Sequence, residues 1–215
     1  YEEWFVRLRF PGHEHARVKD GVPDGWKRAT AFDVMEVNSG GTPRTSTPEY
    51  WDGDIPFYTP KDAHKYAYVL ETQKTLTEAG LSKCNSKLYP KNSIFITARG
   101  TVGNLNLAQS SMAMNQSCYA LKGKGEVSQF FLFCTVRNAI EHFRQRAVGA
   151  VFDAIIVDTF KLIPFLLPDG KIIRFFEQAV SRLFHQTENL LIQNQKLKQA
   201  RDLLLPKLMN GEIAV

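Results

Sequence analysis

Residues 171–205 read KIIRFFEQAVSRLFHQTENLLIQNQKLKQARDLLL. Within them Phe176, Leu183, Leu190, Leu197 and Leu204 recur every seven residues. Ile173, Val180, Thr187, Asn194 and Arg201 stand three residues before each of these. This is a heptad repeat with an apolar d column and a mixed, partly polar a column. As a helix it would be roughly 50 Å long at ~1.5 Å per residue. Gly170 precedes the stretch, and Pro206 is expected to stop it. A rod of that length outruns any small domain, so its apolar seam needs a second long helix. The alternative is a long amphipathic helix folded back onto its own domain. Asn194 and Arg201 in the seam favour the coiled coil, because a polar a residue fixes register and partner at a cost in stability. The predicted helix–helix interface is therefore Phe176, Leu183, Leu190, Asn194, Leu197 and Leu204.

Working outward, 215 residues leave room for one globular domain ahead of this strut. A hydrophobic content of 44% with 12% aromatics is enough for a real core. The net charge of +5 makes an anionic partner plausible, but the excess is mild. No apolar run approaches ~18 residues, which predicts no membrane span. The N-terminus lacks the charged-then-apolar pattern of a secretion signal. Cys84, Cys118 and Cys134 are odd in number and widely spaced, so they are expected to be buried free thiols in a reducing compartment, the cytoplasm. The first residue is tyrosine, which predicts a fragment of a longer protein or a processed chain.

Residues 1–25 read as the tail of a preceding helix, YEEWFVRLRF, and then a linker. Residues 26–170 read as the globular domain, and 171–215 as the long helix with a short tail. At the start of the domain, Thr30 with Asp33 three residues later predicts a helix cap. Asn38 to Pro43 predicts a loop, and Thr47-Pro48-Glu49 a short helix start. Ile55–Thr59 and Ala67–Leu70 are short and β-prone. Ser93–Ala98 (SIFITA) is the clearest strand. Gly100 and Gly103 bracket a turn, after which Asn104–Ala108 could return as a hairpin. Cys118–Leu121 predicts another strand, Ser128–Phe143 a helix, and Phe160–Leu167, with Pro164 inside it, an edge strand. The fold class expected is α+β (mixed α/β) with many short strands, followed by the long C-terminal helix.

Motifs for chemistry are scarce. There is no phosphate-binding P-loop, no dinucleotide fingerprint and no nucleophile elbow, and no methyl-transfer loop of the Asn-Pro-Pro-Tyr type. No catalytic residue, cofactor or metal site is predicted. His13, Glu14 and His15 lack a further ligand at useful spacing. Asp52 and Asp54, in Trp51-Asp52-Gly53-Asp54, are expected to shape a turn. A metal-dependent nuclease built on this pair is one alternative function. A coiled-coil adaptor that binds protein is another. What remains is binding chemistry. Lys83, Lys87 and Lys91 are spaced by four, and Lys61, Lys65 and Arg99 lie near predicted turns. Such side chains neutralise phosphates. Arg99 leaves the end of a strand beside Gly100, where a guanidinium could read guanine bidentately. Asn115 and Gln116 could read adenine edges, or serve as ordinary loop residues.

Four further stretches carry a resemblance. Ser39-Gly40-Gly41-Thr42-Pro43 runs on to Pro48-Glu49-Tyr50-Trp51-Asp52-Gly53-Asp54-Ile55-Pro56 and Thr59-Pro60-Lys61-Asp62. Arg99-Gly100-Thr101-Val102-Gly103 and Asn115-Gln116-Ser117 follow, and the helix ends Leu204-Leu205-Pro206-Lys207-Leu208-Met209-Asn210-Gly211-Glu212-Ile213. In this order they resemble the target-recognition domain and conserved helix of specificity (S) subunits of type I restriction-modification systems. The resemblance covers nearly the whole chain. It implies a non-catalytic reader of double-stranded DNA. A full S subunit of that family has two recognition domains separated by two antiparallel helices that act as a ruler. The helices dock methyltransferase (M) subunits carrying S-adenosylmethionine, and through them restriction (R) subunits driven by ATP. The implied DNA-facing set is Gly40, Gly41, Thr42, Lys61, Lys83, Lys87, Lys91, Arg99, Gly100, Thr101, Asn115 and Gln116. The second helix would come from the same subunit or from a homodimer partner. The chain resembles the second half of a two-domain subunit, or a half-subunit that pairs with itself.

Overall fold

The computed structural model describes residues 1–147 and 154–212. Three short strands open the domain. β1 (Val18–Lys19) pairs with β2 (Val22–Pro23), and β3 (Lys27–Thr30) leads directly into α1 (Ala31–Val34). The expected cap is present. The Thr30 hydroxyl accepts from the Asp33 amide, while Asp33 accepts from the Thr30 amide and hydroxyl at 2.8 and 2.7 Å. Those two bonds, the backbone one first, hold the Asp33 carboxyl below the usual carboxylate range. Then follow β4 (Met35–Ser39), β5 (Trp51–Tyr58), β6 (Tyr68–Val69), β7 (Thr75–Leu76), α2 (Glu78–Ser82), β8 (Ile94–Thr97), β9 (Leu105–Ala108), β10 (Ala113–Met114) and β11 (Cys118–Gly123). The chain ends with α3 (Gln129–Asn138), α4 (Ile140–Ala147), α5 (Val157–Leu162), β12 (Pro164–Leu167) and α6 (Gly170–Met209).

The central sheet has the order β4-β11-β8-β9-β6. β11 runs antiparallel to both β4 and β8, β8 and β9 form the expected hairpin, and β6 joins parallel at the edge. Strand β8 is buried on both faces, which is why its sequence is a continuous apolar run and not an alternating one. Ile94 and Ile96 point into the main core, with Leu107, Leu121 and the aromatic face of α3. Phe95 points the other way, against Tyr58, Tyr89, Met112 and Met114. On that side a smaller sheet, β10-β5-β7, is attached, and a ribbon of β3 and β12 closes the opposite end.

Several expectations change on contact with the fold. Asp52 and Asp54 lie within β5, not in a turn. Asp52 has φ of +60° and the pairing with β7 slips between Trp51 and Ile55, so the segment is a bulged strand. The expected helix over Ser128–Phe143 is divided at Ala139 into α3 and α4. Phe160 belongs to α5, and the strand begins only at Pro164, whose ring cannot donate to a ladder. Tyr1–Phe10 does not stand away from the domain. Phe5 meets Phe131 and Phe176 with ring centroids 5.0 Å apart in each case, and Phe10 meets Trp26 at 5.0 Å. Cys118 and Cys134 are buried thiols, but Cys84 is only half-buried.

Helix α6 is longer than expected. It runs through Pro206 to Met209, with the Asn210 amide bonded to the Pro206 carbonyl at 3.0 Å. A proline there removes only one bond, one turn from the helix end. Ile173 and Phe176 are buried in the domain core, and Val180, Phe184 and Leu191 pack on it. Phe176 is thus a core residue of its own domain, which corrects its assignment to a seam against a second helix. From Lys196 to Glu212 every residue is exposed. Leu183, Leu190, Leu197 and Leu204 are 61%, 51%, 67% and 48% exposed. They lie on a different stripe from the side that meets the domain. Ile213 of the terminal motif lies outside the described residues.

Candidate functional site

A cleft of about 480 Å³ opens between the small sheet and the end of the central sheet. Three turns and a strand form its walls. The first turn follows β8. Arg99 is exposed there, and Gly100 (φ +77°) and Gly103 (φ +84°) take left-handed conformations that suit glycine. Buried Thr97 holds this turn from beneath. Its hydroxyl donates to the Thr101 carbonyl and accepts from the Asn104 amide at 2.9 Å. Thr101 itself is exposed on the turn, outside the cleft lining.

The second turn is Asn115-Gln116-Ser117. The Asn115 side-chain oxygen accepts from the Ser117 amide at 3.1 Å, so half of that amide group builds the turn. The Ser117 carbonyl accepts from the amides of Ala98 and Arg99, which ties this turn to the first. Exposed Gln116 accepts a hydrogen bond from the Thr42 hydroxyl. The third turn is Thr59-Pro60-Lys61-Asp62. Asp62 accepts from the Thr59 amide and hydroxyl at 2.8 and 2.7 Å, and from the Gln73 amide at 2.7 Å. One buried carboxylate therefore fixes both Lys61 and the Gln73–Lys74 segment. Trp51 and Phe57, in T-shaped contact at 5.6 Å, form the apolar floor, and the Lys74 ammonium sits 5.0 Å from the Trp51 ring centre.

The cleft thus brings together Thr42, Lys61, Arg99, Gly100, Asn115 and Gln116 from the expected set. Thr42 and Gln116 also border a second groove containing Gly40, Gly41, Lys83, Cys84 and Asn85. Gly40 and Gly41 are themselves buried. A Cβ at Gly40 would collide with the carbonyl oxygens of Met114 and Asn115, and one at Gly41 would lie 2.6 Å from the Asn85 amide nitrogen. Their first role is close backbone packing, which holds the neighbouring turns in place.

Lys83, Lys87 and Lys91 do not form one set. Lys87 and Lys91 border a separate cleft with Glu36, Asn38 and Lys122. The Lys91 ammonium donates to Glu188 of α6 at 2.5 Å, so this charge is already committed to a buried carboxylate. Among the described residues, Lys61, Lys74, Lys83, Lys87 and Arg99 form no salt bridge. Sequence reasoning missed Thr45, Trp51, Gln73, Lys74 and Ser117 as lining residues. Gln73 and Lys74 precede β7, and the pairing of β7 with β5, together with the bond from the Gln73 amide to Asp62, brings them to the cleft.

Burial pushes the Cys118 thiol and the Tyr58 hydroxyl up from their ordinary values, which keeps both neutral. Neither is poised as a nucleophile. Among the described residues no group of three or more His, Cys, Asp or Glu is placed to hold a metal ion, and no helix is long and apolar enough to cross a membrane.

A family model described as "Type I restriction modification DNA specificity domain" matches residues 23–199. The chain belongs to this family. The specificity domain is 29% identical over 195 residues to the specificity subunit of the type I restriction enzyme HindI of Haemophilus influenzae, covering 89% of this chain and 42% of that protein. It is 29% identical over 181 residues to the MjaIX specificity subunit of Methanocaldococcus jannaschii, covering 79% and 42%. The chain therefore spans less than half the length of these relatives. Among solved structures it is similar to the HsdS subunit from Thermoanaerobacter tengcongensis, with a TM-score of 0.55, 17% identity and coverage of 89% and 46%. A chain from a structure of a type I restriction-modification complex matches with a TM-score of 0.57, 18% identity and coverage of 94% and 49%. These likenesses concern the fold: a mixed α/β specificity domain with many short strands and a long C-terminal helix.

Proposed function

We propose that this chain is a sequence-specific DNA reader, a specificity subunit or half-subunit of a type I restriction-modification complex that reads one half of a split target site. The observation that carries the proposal is the cleft, where Lys61, Lys74 and Arg99, which form no salt bridge among the described residues, stand beside the amides of Gln73, Asn115 and Gln116. Lysines supply the sequence-independent attraction to phosphate, and arginine and amide side chains supply base-edge contacts in the major groove. Thr42, Gly100 and Thr101 shape the turns that present them, and Lys83 extends the cationic surface past Gly40 and Gly41. In this proposal Lys91 serves the helix and not the DNA, and Lys87 lies beside it away from the cleft.

The reader carries no chemistry of its own and works in the cytoplasm. Methyl transfer and cleavage come from M subunits and, through them, R subunits. The exposed leucines of α6 are offered to a second long helix, from the same subunit or from another copy, and the helical pair docks the M subunits. A nuclease based on Asp52 and Asp54 lacks support, because these residues lie on a bulged strand with no third ligand among the described residues. A protein-binding adaptor would need an apolar patch where the cleft instead presents the cations Lys61, Lys74 and Arg99.

The test is selection of bound duplexes from a random library, followed by binding isotherms. Arg99→Ala is expected to cost ~1–3 kcal/mol on the selected site and to relax one base position. Lys61→Gln is expected to weaken all duplexes alike and to reduce the salt slope by about one ion. Binding equal to that of the unaltered chain for both variants at several salt concentrations would remove the cleft from the DNA interface.

A further inference from the structure

Glu188 is a carboxylate on the long helix, yet it is only 4% exposed. Burying a charge is costly unless it is paired and hydrogen-bonded. Here it is both. One carboxylate oxygen accepts from the Lys91 ammonium at 2.5 Å and from the Gln109 side-chain amide at 3.1 Å. Lys91 comes from the turn before β8, and Gln109 directly follows β9. The carboxylate therefore grips both ends of the central hairpin from outside. Its negative charge also contributes to raising the Tyr68 hydroxyl, after burial, and Tyr68 lies on β6 at the same edge of the sheet. Tyr68 in turn donates to the side chain of Asn92, next to Lys91.

The position along α6 matters as much as the bonds. Ile173, Phe176, Val180 and Phe184 fasten the first part of the helix by apolar contact, and Glu177 accepts from the Ser128 hydroxyl at 2.6 Å while Arg174 pairs with Glu126 at 2.5 Å. All of these hold the start of the rod, about which its far end could still tilt. Glu188 is the last buried polar residue before the helix leaves the domain, and beyond Gln195 every described residue is exposed. A directional bond at the exit point fixes the angle of everything past it.

We infer that Glu188, Lys91 and Gln109 form an angular latch, with Glu188 as the positioning residue that sets the direction of the free half of α6 relative to the cleft. The inference rests on the proposed function for its biological use. In a two-headed assembly the latch would set where each cleft meets the duplex, and so which spacing between half-sites is accepted. Its geometric content stands without DNA.

The experiment places paired spin labels on exposed positions, Glu78→Cys in the domain and Lys207→Cys near the helix end, in a Cys84→Ser background. Distance distributions are compared for the unaltered latch and for Glu188→Leu, Glu188→Gln and Lys91→Ala. Glu188→Leu keeps bulk at a buried site and leaves no charge stranded, because the Lys91 side chain is 47% exposed and can turn to solvent, and a urea midpoint measured alongside separates angle from folding. The expected result is a broadened and shifted distribution for Glu188→Leu and Lys91→Ala, with recovery towards the original in Glu188→Gln, whose amide oxygen can still accept from Lys91 and Gln109. Distributions in Glu188→Leu and Lys91→Ala equal to the unaltered latch would overturn the inference. A second arm measures binding of duplexes carrying two selected half-sites at graded spacings. Loss of spacing preference in Glu188→Leu, with single half-site affinity kept, supports the latch within the DNA-reading function. If the unaltered chain binds no duplex, the proposed function fails while the distance measurement still decides the latch.

Discussion

The two halves of α6 share one helix and one heptad period but differ in what they touch. From Gly170 to Leu191 one stripe, Ile173, Phe176, Val180, Phe184 and Leu191, packs on the domain. Beyond Gln195 every described residue of the helix is exposed. The leucines at 183, 190, 197 and 204 remain exposed along both halves. A seven-residue spacing therefore marks two different seams here. One is satisfied inside the chain, and the other is left for a partner. Periodicity reports that a face is apolar, and it is silent on which body covers that face.

The contrast can be broken most severely by replacing Leu183, Leu190, Leu197 and Leu204 together with glutamine. Each leucine forfeits roughly 1.5–3 kcal/mol when its burial is lost, so association through this seam should disappear while the domain still unfolds at its usual urea midpoint. Sedimentation across a concentration series reads the first effect and urea titration the second. Loss of folding in this variant would mean that the leucines already belong to the domain. Next in size, Phe176→Ala should lower the stability of the isolated chain by about 3–5 kcal/mol, because it empties an aromatic cluster shared with Phe5 and Phe131. An unchanged urea midpoint would return Phe176 to the outer seam. A smaller effect is expected from Asn194→Leu, which should tighten association while loosening its register, visible as several coexisting distances between labelled helix ends. A single sharp distance would argue against a register role. Smallest of all, Leu197→Ala should change the stability of the monomeric chain by no more than ~0.5 kcal/mol, since the residue is 67% exposed. A larger loss at high dilution would show that this leucine has an internal contact.

Much of the fold was legible because it depends on neighbours in sequence. The Thr30–Asp33 cap, the β8–β9 hairpin bracketed by glycines and the long helix all follow from local rules. The candidate site was legible in part. Arg99 at a strand end and the Asn115–Ser117 turn carry their own local signals. Lys91 did not, since its partner Glu188 is 97 residues away and spacing by four suggested a shared face with Lys83. Trp51, Gln73 and Lys74 were missed because a bulged pairing between β5 and β7, not any local pattern, brings them to the cleft. Pro206 misled through a rule made for helix interiors, applied one turn from an end.

The close packing at Gly40 has a consequence for how such a chain could change. Backbones of the loop at residues 40–42 and the turn at 115–117 are pressed together with no room for a Cβ, and Thr97 and Asp62 bind the other turns from the inside. The frame and the side chains that hang from it are thus separate sets of residues. Lys61, Gln73, Lys74, Arg99 and Gln116 are all exposed and none of them belongs to the hydrophobic core. Substitutions among these few would alter the chemical alphabet presented to a ligand while the page it is written on stays the same, so new preferences could be tried one residue at a time without putting folding at risk.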